Sequence, residues 1–104
     1  MPALNQKDAE HYIATRQEFT ASALSGGYRL YTIDTGRLND EEIALLKEVT
    51  KAEGAIYLVY SYGTPIAYHT ARGWYVVSQK FSVTTSKHQN LTRRAIADSL
   101  QGAN

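Results

Sequence analysis

The 104-residue sequence predicts an α+β domain: a small three- to four-stranded antiparallel sheet packed with about three helices. Two observations carry this reading. Apolar residues recur at helical spacing near the start, in the middle and at the end of the chain, and alternate with period two between them. The alternating segments are joined by turns as short as Gly63-Thr64-Pro65 and Ala71-Arg72-Gly73, which leave no room for a parallel crossover.

The first periodic segment runs from about Gln6 to Leu24, with Ala9, Tyr12, Ile13, Phe19 and Ala23 on one side. Asn5 and Asp8 have capping-box spacing at its start, and Gly26-Gly27 reads as its stop. Tyr28 to Ile33 then alternates as a strand and closes at Asp34-Thr35-Gly36. Asn39 and Glu42 form a second capping box, framed by a Leu38–Ile43 hydrophobic staple, and Gly54 ends that helix. Its acidic first turn, Asp40 to Glu42, suits the helix dipole, and its apolar stripe reads as packing without chemistry.

From Ile56 the period becomes two, giving strands around Ile56–Ser61, Ile66–Thr70 and Trp74–Ser78, with Phe81-Ser82-Val83 as a candidate extension of the sheet. The last helix is expected to begin near Ser86, capped by Thr85 or Ser86 with Gln89 completing a box, and to run to about Leu100. Leu91, Ala95, Ile96 and Leu100 supply its buried stripe, leaving Lys87, Asn90, Arg93 and Arg94 outside.

A hydrophobic fraction of 43% with only two prolines excludes disorder and fits a single domain over residues 1–104. The absence of cysteine excludes disulfides, thiol catalysis and thiolate metal sites. The longest nearly uncharged run, Gly54 to Ala71, is broken by Gly63 and Pro65 and is no membrane span. Met1 to Asp8 has no apolar leader, so a soluble protein of the cytoplasm is expected. The histidines His11, His69 and His88 fall in no metal-ligand spacing, so no metal or other cofactor is expected. An acid–base pair of His69 with Asp34 would need a tertiary meeting, and enzymatic function is the weaker class.

The net charge of +1 hides a division. Residues 1–53 carry six basic against nine acidic side chains, a net of −3, while residues 54–104 carry five against one, a net of +4. Within the basic half, Thr84-Thr85-Ser86-Lys87-His88-Gln89-Asn90 gathers hydroxyls, a cation and amides at an expected helix start, with Arg93 and Arg94 within two turns. These are phosphate-binding groups, and they predict nucleic-acid contact through Thr84, Thr85, Ser86, Lys87, His88, Asn90, Arg93 and Arg94. Tyrosines among Tyr57, Tyr60, Tyr62, Tyr68 and Tyr75 would add base stacking if exposed. The competing reading is a protein-interaction module that binds or inhibits a host protein through the Tyr-rich sheet or the acidic helix. An exposed strand edge or aromatic patch would also serve a homodimer.

The strings Tyr60-Ser61-Tyr62-Gly63-Thr64-Pro65-Ile66-Ala67-Tyr68, Trp74-Tyr75 and Phe81-Ser82-Val83-Thr84-Thr85-Ser86-Lys87-His88 resemble a family of small uncharacterised bacteriophage proteins. In that family a Tyr-x-Thr-x-Ala hairpin precedes an aromatic-Ser-x-Thr-Thr-Ser-Lys-His segment. The resemblance covers the last half of the chain and leaves residues 1–53 outside, as an addition to it. It implies a phage or mobile-element origin and action in a bacterial cytoplasm, and carries no activity with it.

Overall fold

The structure, a computed structural model, describes residues 6–21, 23–29, 34–53 and 56–102. Among these the chain runs α1 (Gln6–Ala14), β1 (Phe19–Ala21), β2 (Leu24–Arg29), α2 (Asp40–Glu53), β3 (Ile56–Ser61), β4 (Thr64–Thr70), β5 (Gly73–Val76) and α3 (Val83–Gly102). The strands form one antiparallel sheet in the order β1-β2-β3-β4-β5. The α+β class and the three helices stand, but the expected three to four strands are corrected to five.

The extra strand comes from the first helix, which stops at Ala14 rather than near Leu24. Its end is a Schellman closure: Gln17 N–H donates to the Tyr12 carbonyl at 2.8 Å and Arg16 N–H to the Ile13 carbonyl at 3.0 Å. Arg16 occupies the left-handed position, at φ 54°, that glycine usually fills. The chain can then reverse through β1 into β2, pairing Phe19 with Gly26 and Ala21 with Leu24. Gly26 and Gly27, expected to stop a helix, are instead buried within β2. Of the expected strand Tyr28–Ile33, Tyr28 and Arg29 belong to β2, and residues 30–33 lie outside the described residues, as do Asn5 and Gly54.

The sheet is covered on both faces, which is why all six residues of β3 are buried. Tyr57 and Val59 point to one face, where Ala9 and Ile13 of α1 and Leu91 and Ala95 of α3 pack with Phe19, Leu24, Ile66 and Ala67. Ile56, Leu58 and Tyr60 point to the other, where α2 brings Leu46 against Tyr68, Val77 and the incoming Leu38. A register shift between Val59 and Tyr60 lets β4 accept Pro65, whose missing N–H would break a regular ladder, and turns both Ile66 and Ala67 to the α1–α3 face.

At the start of α2, the Asn39 side-chain carbonyl accepts the Glu42 N–H at 2.9 Å, the expected cap. The reciprocal half of the box is replaced. Asn39 N–H donates to Gln79 Oε1 at 2.8 Å, and the buried Glu42 carboxylate accepts the Tyr75 hydroxyl at 3.0 Å. Asn39→Ala is expected to lower unfolding free energy by about 1 kcal/mol, read as an earlier urea midpoint at unchanged slope.

Residues 77–82 carry no regular structure, so Phe81-Ser82-Val83 does not extend the sheet. Helix α3 begins at Val83, three residues before the expected Ser86, because Ser82 is the cap: its Oγ accepts the Thr85 N–H at 3.3 Å.

Candidate nucleic-acid interface

At 3.6 residues per turn, α3 sets the expected site residues on two sides of the helix. Thr84, Lys87, Asn90, Arg93 and Arg94 are exposed and Ser86 is half-buried. Thr85 and His88 are 5% and 3% exposed and face the sheet, so they are not presented to a partner. The eight residues therefore do not form one contact surface.

The inward members build a polar cluster with Ser61 at the end of β3. Ser61 Oγ lies 2.6 Å from His88 Nδ1 and 3.2 Å from Thr85 Oγ1, and Ser82 Oγ reaches Thr85 Oγ1 at 3.2 Å. Thr92 Oγ1 donates to the His88 carbonyl at 2.8 Å, and the buried Gln89 amide donates to the Val77 carbonyl at 2.9 Å. Buried polar groups are tolerated where each finds a partner, and here they fasten α3 to the sheet. Burial lowers the affinity of His88 for a proton below the ordinary histidine value.

The outward members form a basic arc. Arg93 Nη1 donates to Asn90 Oδ1 at 3.1 Å, and Arg94 Nε stands 3.9 Å from the Glu10 carboxylate of α1, a loose contact with an arginine side chain 63% exposed. No carboxylate of a described residue pairs with Lys87 or Arg93. The acidic α2, with Asp40, Glu41 and Glu48 exposed, lies across the sheet. A full layer of protein separates the two charge fields, more than the screening length of about 8 Å at physiological salt.

Of the five tyrosines expected as stacking candidates, Tyr57, Tyr60 and Tyr68 are buried and Tyr75 is half-buried. Burial holds the phenols of Tyr57 and Tyr68 well above the ordinary tyrosine range. Only Tyr62 is exposed, at 63%, and its ring lies on His88 with centroids 6.2 Å apart and planes 29° apart. Sequence reasoning missed Tyr28, which is 55% exposed and sits edge-on to Tyr57 at 5.3 Å. Its position directly opposite Tyr57 follows from the β2–β3 register, which required knowing where α1 ends.

The structure does not assemble the His69–Asp34 pair. His69 lies edge-on to Trp74 at 5.2 Å, on the face carrying α1 and α3, and burial lowers its proton affinity. Asp34 accepts the Gly36 N–H at 3.0 Å and lines a cavity of about 570 Å³ with Ser25, Arg29, Tyr60 and Gly63.

A family described as being of unknown function, DUF8033, matches residues 8–98. The chain belongs to that family. The DUF8033 span crosses the charge boundary at residue 53 and so takes in most of the acidic half as well as the basic one. No curated protein and no solved structure matches significantly. Among the described residues, no helix is long and apolar enough to cross a membrane.

Proposed function

We propose that this DUF8033 protein is a non-enzymatic accessory protein of phage type that binds nucleic acid in a bacterial cytoplasm, through the outward face of α3. The contacts fall to Thr84, Lys87, Asn90, Arg93 and Arg94. The observation that carries the reading is the basic arc itself: three cations between residues 87 and 94 on an exposed helical face, two of them without a carboxylate partner among the described residues. Seven residues of helix place the outer two about 10 Å apart along the axis, a span over which a phosphate backbone offers several charges. Thr84 and Asn90 add neutral hydrogen-bonding groups beside them.

The test is fluorescence anisotropy of labelled oligonucleotides with the full chain at 50 and 200 mM salt. Binding is expected to weaken steeply with salt, and Lys87→Glu with Arg93→Glu is expected to remove it while leaving the circular dichroism spectrum unchanged. Absence of binding at 50 mM salt would sink the reading.

A second reading, a surface for a host protein, is favoured by the exposed Tyr28 ring set against buried Tyr57. Under it, capture of a partner from bacterial lysate survives the charge reversals and is lost in Tyr28→Ala.

A further inference from the structure

We infer that Tyr62 is a base-stacking platform and that the nucleic acid gripped by α3 is single-stranded; this rests on the nucleic-acid reading above. The first observation is conformational. Tyr62 and Gly63 form the two-residue turn between β3 and β4, with φ of 52° and 78°. Two positive φ angles are the mark of a type I′ hairpin, whose first position favours asparagine, aspartate or glycine. An aromatic side chain there gains nothing for the turn and holds the backbone in a sparsely populated region.

The second observation is what the ring gains. It lies 63% exposed with one face against the His88 imidazole, and that imidazole is fixed from behind by Ser61 at 2.6 Å. A phenol on a hairpin tip would ordinarily rotate freely. Here the buried cluster presents it as a fixed surface, with its outer face open to another flat ring.

The third observation is position. His88 is one turn beyond the exposed Thr84, so the ring that lies on His88 stands near the N-terminal end of α3, the end at which the exposed Lys87 begins the basic arc. An aromatic face flanked by a cation and a hydroxyl matches one nucleotide: base on the ring, phosphate on Lys87 and Thr84. A base can reach such a face only when it is outside a duplex stack, which selects single strands over double strands.

The turn supplies a clean test, because Tyr62→Asn installs the residue the turn prefers and removes only the ring. The probes are fluorescein-labelled 20-nucleotide single strands, DNA and RNA of one mixed sequence, and the matching duplexes. Wild-type protein is expected to bind one or both single strands more tightly than the duplexes. Tyr62→Phe should match wild type. Tyr62→Asn should bind single strands about 10- to 100-fold more weakly, with thermal stability at or above wild type and an unchanged salt slope. Single-strand binding by Tyr62→Asn equal to wild type, or a wild-type preference for duplex, would overturn the stacking role while leaving the basic-arc reading in place. Failure of every probe at low salt would remove both.

Discussion

Replacing His88 with alanine is expected to lower unfolding free energy by about 3 kcal/mol, the combined effect of an emptied buried volume and a stranded polar partner. The imidazole fills the space between α3 and the end of β3, and its Nδ1 satisfies a Ser61 hydroxyl that is only 1% exposed. Without it, Ser61 keeps Thr85 alone, and Tyr62 loses the surface it rests on. Urea unfolding followed by circular dichroism would read the loss. A midpoint within error of wild type would show that the cluster does not fasten α3.

The same histidine predicts how stability responds to acid. Burial holds the folded-state pKa of His88 below its ordinary value of 6.5, and the same cause acts on His69. In the window below 6.5 the unfolded chain therefore takes up protons that the folded chain refuses. Stability is at its full value above pH 6.5 and falls as the pH drops from there toward the lower folded pKa. The melting temperature should decline between pH 7 and pH 5.5, and less so in His88→Gln. A flat profile in the wild-type protein would contradict the burial of these rings.

Gly26→Ala is expected to cost about 2–3 kcal/mol by overpacking. A Cβ at this position would lie 2.5 Å from both Phe19 Cε1 and the Tyr57 hydroxyl oxygen. Neither group has room to give. Phe19 is 1% exposed and pairs directly across the strand from Gly26, while the Tyr57 hydroxyl donates to the Gln17 carbonyl at 2.7 Å, just after the helix closure. A shift of either ring disturbs the packing of α1 or the hydrogen bond that holds its end. The neighbouring glycine is the control. A Cβ on Gly27 would meet the Arg29 guanidinium at 2.9 Å and Glu18 Cγ at 3.3 Å, both on flexible side chains. Gly27→Ala should therefore cost clearly less than Gly26→Ala. Equal effects at the two positions would refute this account of Gly26.

What could be read from the sequence followed from how local each signal was. Helix α2 and its Asn39 cap were legible because the cap, the acidic turn and the apolar stripe lie within a dozen residues. The β3–β5 meander was legible for the same reason, its turns being two residues long. The end of α1 was not, because Arg16 adopts a left-handed conformation that composition assigns to glycine, and the visible glycine pair ten residues later does a different job. The basic arc survived because charged side chains at 87, 93 and 94 have nowhere to go but solvent. Its companions at 85 and 88 were misjudged because hydropathy ranks threonine and histidine as surface residues. Their burial depends on Ser61, 24 and 27 residues away, and a partner at that distance leaves no mark on local periodicity.

The six-residue pairing of Leu24–Arg29 with Ile56–Ser61 joins the acidic half of the chain to the basic half down the middle of the sheet. Cutting the chain at the charge boundary would leave β3 with an open edge on one fragment and its covering helices divided between the two. The electrical halves are thus not folding halves. A fragment beginning at residue 54 is no minimal version of this protein, because β2, paired with β3 along all six of its residues, stays on the other fragment.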